Sequence, residues 1–236
     1  LRGDGYTHSV TLGIDDKLFE SRAVPIGGTG SLFPNVRTRP ISIEYARDYE
    51  DLTGNWGFSV SYARNFPHGG SNNAGAYLGN RDQAPVSWDV VRWRAYLDHG
   101  FESGALLRAS AEGQWARDPL LSGEQFGVGG ARSVRGFSER SISGDSGVRA
   151  GVELWTAPLE STVNARLMGF VEWGHVKVHS PSFGQDHGES AAGAGVGFRM
   201  QGTYWSAVGS LARVIDAASQ ADPGDVRAHF SAVWRY

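Results

Sequence analysis

The chain contains no cysteine. A disulfide scaffold, a thiolate metal site and a cysteine nucleophile are therefore excluded. No apolar run approaches the roughly 20 residues that a membrane-spanning helix needs, and helical periodicity is almost absent. Positive charge is not in excess: 22 Lys and Arg stand against 25 Asp and Glu, so the chain carries no electrostatic footprint for nucleic acid. The first residue is Leu1, with neither Met nor a signal peptide, and it reads as an interior residue of a longer precursor. None of these absences excludes a membrane. A spanning β-strand needs only about 10 residues of alternating character and leaves the average hydropathy unremarkable.

What the chain does have is glycine, 33 residues of it, and 11% aromatics. That much Gly without a collagen repeat is unusual for a soluble globular domain. The dominant pattern has period two, broken by Gly, Pro, Asn and Asp. Tyr6, Val10, Leu12 and Ile14 alternate with Thr7, Ser9, Thr11 and Gly13; Trp56, Phe58, Val60 and Tyr62 alternate with Asn55, Gly57, Ser59 and Ser61. Similar combs run over Ile41–Tyr45, Trp88–Asp98, Ala105–Trp115, Val148–Leu154, Ala165–Trp173, Ala192–Met200, Thr203–Val214 and Ala228–Tyr236. Residues 65–85 read as loop, as do Ser180–Glu189 and the long stretch from Pro119 to Gly144.

About ten antiparallel strands with almost no helix fit either a soluble sandwich or a membrane barrel. The aromatics favour the barrel. Trp56, Tyr62, Trp88, Trp115, Trp173, Trp205, Trp234 and Tyr236 sit near strand termini, as a membrane-interface girdle requires. The strands are also about twice the usual length, and the connections alternate long and short.

Within the longest connection, Val134-Arg-Gly-Phe137 joins a bulky aliphatic, a five-donor fork, a conformationally free residue and an aromatic. An exposed flexible loop is one reading; insertion into a polar cavity is the other. Carboxylates on the polar face of the strands, Glu153, Glu172 and Glu112, are available as partners.

The run Gln125-Phe-Gly-Val-Gly-Gly-Ala-Arg-Ser-Val-Arg-Gly-Phe137 resembles the sixth-loop signature of the outer-membrane insertase/translocase superfamily. It is most similar to the two-partner secretion branch, the TpsB-type haemolysin secretion/activation transporters. Leu120–Phe126, Gly151–Leu159 and Phe170-Val-Glu-Trp-Gly174 resemble that branch too, and Tyr236 takes the place of its terminal aromatic. The resemblance implies that the loop folds into the barrel lumen and that Arg135 pairs there with an acid on the wall, Glu172 first and Glu153 second. The family usually carries Asp where Glu172 stands, so the distance is in question while the chemistry is the same. It also implies a barrel of about 16 strands. Residues 1–236 would then be the C-terminal portion of that barrel, without its first strands or its periplasmic POTRA domains.

Other features have weaker claims. Gly193, Gly195 and Gly197 face the presumed lumen and form either a seat for the loop or a point of strong curvature. Gly144-Asp-Ser-Gly147 matches the core of a serine-protease nucleophile motif, but the third Gly and the Ala-His-Cys segment are missing, and a turn into a strand is the better reading. His175, His179 and His187 are scattered, with no metal-ligand spacing. Phe230, Trp234 and Tyr236 comb the last strand, where the resemblance implies a C-terminal assembly signal read by the barrel-assembly machinery.

The resulting expectation is a bacterial outer-membrane pore that exports a large unfolded exoprotein and catalyses no covalent chemistry. Its partners would be the exoprotein, the lipid and lipopolysaccharide of the membrane, and the assembly machinery, with no nucleic acid, metal or cofactor. Two alternatives stay open: an insertion factor of the same superfamily, and a soluble all-β binding module or enzyme.

Overall fold

The structure is a computed structural model that describes residues 2–3, 5–27, 30–159, 163–181, 184–217 and 221–235. Ten long strands form one antiparallel meander: β1 (Tyr6–Ile14), β2 (Pro40–Glu50), β3 (Gly54–Asn65), β4 (Asp89–Gly100), β5 (Leu106–Ala116), β6 (Ser146–Trp155), β7 (Asn164–Lys177), β8 (Gly188–Gln201), β9 (Trp205–Asp216) and β10 (Val226–Trp234). Each pairs with the next in sequence, and Arg2–Gly3 adds a short rung outside β1. The sheet is open among the described residues, ending at Arg2–Gly3 on one side and at β10 on the other.

The connections sort by length. Those after β1, β3, β5, β7 and β9 are long and lie at one end of the sheet; those after β2, β4, β6 and β8 are short and lie at the other. Outer-membrane barrels have this asymmetry, with long loops at the cell surface and short turns in the periplasm.

The period-two combs place apolar side chains on one face, and that face is bare. Leu12, Ile43, Tyr62 and Trp115 are all exposed and, through Val91, form one continuous cross-strand row. Val152 and Val171 continue the belt on β6 and β7, and Val196 and Leu211 on β8 and β9. The opposite face carries the buried polar groups, Gln114 and Glu172 among them. A soluble sheet would be arranged the other way round. Exposed apolar surface running from strand to strand marks a face that is covered by a partner or by lipid, and lipid covers the outer face of a membrane barrel. The rings of Trp93 and Phe198 lie over the cross-strand glycines Gly113 and Gly209, filling the gaps that those residues leave in the belt.

Two expectations need correction. Trp88 does not belong to an interface girdle. It lies one residue before β4, is fully buried, and donates its indole N–H to the Tyr77 hydroxyl at 3.3 Å. Nor are residues 65–85 only loop. A short helix, α1 (Ala74–Asn80), forms there, its first turn capped by the Asn73 side chain, which accepts from the Ala76 N–H at 3.0 Å. Tyr77 projects from α1 into a small core with Val36, Trp88, Val90, Leu120 and Leu121. A cap built from several loops thus covers the long-loop end of the sheet, and Trp88 is spent inside it.

Candidate lumen latch

The connection between β5 and β6 turns back along the inner face of the sheet. A 3-10 turn at Ser122–Glu124 leads into a two-stranded ribbon, Phe126–Val128 paired with Ile142–Gly144, whose tip is residues 129–141. The tip is apolar where it touches the wall. Val134 and Phe137 are fully buried with Val128 and Ile142 of the ribbon, Val176 of β7, Ala191 of β8 and Val214 of β9. Gly136 between them has φ +108°, a left-handed conformation that glycine adopts without strain. It lets Arg135 and Phe137 leave the tip in different directions.

Arg135 is buried and meets both acids expected of it. Its Nε donates to Glu172 Oε1 at 2.8 Å and its backbone N–H donates to the other Glu172 oxygen at 2.7 Å, so one carboxylate holds both main chain and side chain. Nη2 donates to Glu153 Oε1 at 2.7 Å, and the second Glu153 oxygen accepts from the Trp155 indole at 2.9 Å. The guanidinium carbon stands 3.5 Å from the centre of the Phe170 ring. A planar fork held by two carboxylates and stacked on an aromatic suits Arg and not Lys. Glu112, the third carboxylate considered, serves a different pair: it bonds Arg149 and Arg94 on the wall.

The three glycines of β8 divide their work. A side chain at Gly193 would collide with the carbonyl oxygen of Arg135. At Gly195 it would meet Phe170 and the main chain of Leu211, and at Gly197 it would meet Met168 and the main chain of Gly209. Gly193 therefore touches the loop itself, while the other two make room for the residues on which Arg135 lies.

Two buried acids were not anticipated. Asp145 has no solvent exposure. Its carboxylate pairs with both terminal nitrogens of Arg81 and accepts from the backbone N–H of Leu120 at 2.8 Å and of His179 at 2.7 Å. It thereby ties the connections after β3, β5 and β7 to one point. Glu124, also buried, accepts from Lys17 at 3.0 Å, Thr38 at 3.2 Å and Arg92 at 3.2 Å, fixing the descending limb of the loop to β4 and to the connection after β1. In sequence, Gly144-Asp-Ser-Gly147 reads as a turn, and only its position next to a long strand hints at more. Ser146 bonds both the N–H and the carbonyl of Ala116, which gives the hydroxyl a structural task.

The remaining candidates stay apart from the latch. His175 bonds Ser190, and His179 bonds the Ala116 carbonyl. Among the described residues no group of three His, Cys, Asp or Glu converges to hold a metal. Phe230 and Trp234 project outward from β10, about 70% exposed, and Tyr236 lies outside the described residues.

No curated protein sequence matches the chain. Among solved structures it is similar to CdiB from Escherichia coli (TM-score 0.76, 18% identity, 99% of this chain and 43% of that one). It is also similar to CdiB from Acinetobacter baumannii (0.73, 18%, 98% and 39%). BamA from Haemophilus ducreyi, in a form lacking POTRA domains 1–3, is similar at TM-score 0.63 with 16% identity, over 97% of this chain and 52% of that one. At these identities the likeness shows the fold alone. The chain spans less than half the length of either CdiB. In sequence, residues 37–200 match the family described as haemolysin secretion/activation protein ShlB/FhaC/HecB. That span covers β2 to β7, β8 except its last residue, the whole inserted loop and both carboxylates that meet Arg135. This chain belongs to the ShlB/FhaC/HecB family of haemolysin secretion/activation proteins.

Proposed function

We propose that the chain is the C-terminal portion of an outer-membrane pore that passes one large unfolded exoprotein to the cell surface, and that the Arg135 loop latches this pore shut at rest. Family membership places the barrel in the outer membrane of a Gram-negative bacterium. The open sheet and the fraction of each CdiB that the chain covers support a longer protein whose remaining strands close the wall. Closure is a physical requirement, since each unpaired edge group in hydrocarbon costs several kcal/mol.

The observation that carries the proposal is the buried contact of Arg135 with Glu172 and Glu153. A loop that only decorated the surface would not bury a guanidinium against two wall carboxylates. The rest of the inner face is polar, with Ser59, Ser61, Arg92, Arg94, Glu112 and Gln114 lining the space beside the loop. An extended chain could keep its backbone hydrated there. Periodic side chains and hydrogen bonds hold the wall together; the latch decides whether the space it surrounds is open.

The test is secretion. Cells carrying the complete protein with Arg135→Ala or Glu172→Gln are expected to assemble the barrel, seen as heat-modifiable gel mobility, and to export less exoprotein, because a pore that does not return to its latched state lacks the arrangement from which export starts. Normal export by both variants would overturn the latch. Normal export with failing assembly of unrelated barrel proteins would instead favour an insertion factor. The terminal comb of Phe230 and Trp234 is proposed to serve assembly, with Phe230→Ser expected to lower the amount of folded barrel.

A further inference from the structure

The belt of apolar side chains on the outer face is interrupted by an arginine. Arg47 on β2 has the same strand parity as Ile41, Ile43 and Tyr45, which are exposed on that face. Its cross-strand neighbours are His8 on β1 and Phe58 on β3. The acids of β2, Glu44, Asp48 and Glu50, have the opposite parity and face the lumen. Asp51, in the turn that follows, is engaged by the N–H groups of Thr53 and Gly54 and by the Thr53 hydroxyl. Among the described residues Arg47 forms no ion pair, and its buried Nε has no hydrogen-bond partner.

The head of this side chain does not stay in its own row. The guanidinium carbon lies 4.2 Å from the centre of the Tyr6 ring and 5.8 Å from that of Trp56. Tyr6, Tyr49 and Trp56 are directly paired with one another and form the next row toward the short-turn end. Their rings are in mutual contact, with centroids 4.5 Å apart for Tyr6–Tyr49 and 5.8 Å for Tyr49–Trp56. Arg47 thus runs its stem along the apolar face and aims its charge at an aromatic cluster at the membrane boundary, as a snorkelling cation does. Cation–π contact satisfies the face of the guanidinium and buries its Nε, which leaves the two terminal nitrogens to meet a ligand. An edge of N–H donors at the boundary of a lipid belt, with the nearby Asp51 already held by Thr53, Gly54 and Tyr49, matches a tetrahedral phosphate oxygen set.

We propose that Arg47, seated on Tyr6 and Trp56, binds the phosphodiester headgroup of a phospholipid in the leaflet at the short-turn end, with the acyl chains of that lipid lying along Val10, Leu12, Ile43 and Tyr45. The apolar row continues directly from the cation, so one amphipathic ligand covers both. A free phosphate would use the cation alone.

The complete barrel that carries this chain, purified in mild detergent, provides the test. Native mass spectrometry measures retention of phosphatidylglycerol by the wild-type protein and by Arg47→Gln, with inorganic phosphate as a competitor. Retention is expected to weaken at least about tenfold in Arg47→Gln, with millimolar phosphate leaving the wild-type lipid in place. Equal retention by the two proteins would overturn the proposal, as would displacement by free phosphate, which would make the site a simple anion site. Should Arg47→Gln fail to assemble, Tyr6→Leu removes the ring beneath the guanidinium. Retention by that variant is expected to fall by about threefold, and unchanged retention would count against the site.

Discussion

Replacing Arg135 with Ala leaves the tip of the loop its backbone and removes its guanidinium. Breaking a buried, hydrogen-bonded ion pair from one side costs about 3–5 kcal/mol, most of it the penalty of the charge left behind. Two features of this site place the cost near the lower figure. The Glu153 side chain is 24% exposed and can recover some water. The backbone N–H of residue 135 survives the change and continues to donate to Glu172. A loss of about 3 kcal/mol shifts the balance between seated and unseated loop by about a hundredfold. Single-channel recording of the complete barrel in planar bilayers reads that balance as open probability, and heat-modifiable mobility confirms that each variant is folded. Arg135→Ala is expected to open the pore most. Glu172→Gln should follow, at about tenfold, because the amide still accepts one bond but loses the charge. Glu153→Gln should act least, since Glu153 holds one guanidinium nitrogen and is partly wet. The double variant Arg135→Glu, Glu172→Arg should close part of the opening seen in either single change. An assembled Arg135→Ala barrel with wild-type conductance would refute the reasoning, and so would a Glu153 variant that opens more than the Glu172 one.

Gly193→Ala places a methyl group against the Arg135 carbonyl and should unseat the loop at a cost of about 1–3 kcal/mol, whereas Gly169→Ala, where a side chain meets open space, should leave conductance unchanged. Asp145→Asn breaks the bidentate pair with Arg81, and limited proteolysis should then cut the connections at 66–88 and 117–144 at lower temperature than in the wild type; an unchanged cleavage temperature would show that the backbone donors of Leu120 and His179 suffice. Burial pushes the Tyr77 hydroxyl up from 10.0 to about 12. Because the folded value is the higher one, its contribution to the cap is complete below pH 10 and is lost as pH rises from 10 to 12, at most about 2–3 kcal/mol. The fluorescence difference between the protein and its Trp88→Phe variant should change over that interval, and Tyr77→Phe should abolish the change.

The wall was legible because its physics is local. Each strand announces itself by parity, and the register follows once apolar residues such as Leu12, Ile43 and Tyr62 must share a face. The contact of Arg135 with Glu172 was legible from motif resemblance: the two are separated by a whole strand and two connections, and no periodicity relates them. The cap was not legible. Tyr77, Trp88, Leu120 and Asp145 come from distant connections, and nothing in the local pattern around any of them indicates that it is buried. Trp88 is the clearest case. An aromatic at a strand terminus satisfies both an interface girdle and a loop core, and only the fold of residues 66–87 distinguishes them. Asp145 looked like a turn residue because a short acid between glycine and serine is a common turn, whatever else it bonds.

The inserted loop is held at three heights: Asp145 at its root, Glu124 on its descending limb and Arg135 at its tip. Of the three, the tip is the part held by the wall acids of β6 and β7. If it alone lets go, residues 129–141 remain tethered by the ribbon above them, and the guanidinium stays at an effective concentration in the millimolar range beside its carboxylates. Chain segments of this length close on the order of 10–100 ns, so a released tip would return to its carboxylates quickly. In the function proposed above, resealing would be a property of the tether and would need no chemical fuel. Each transit would end with the same contacts that preceded it.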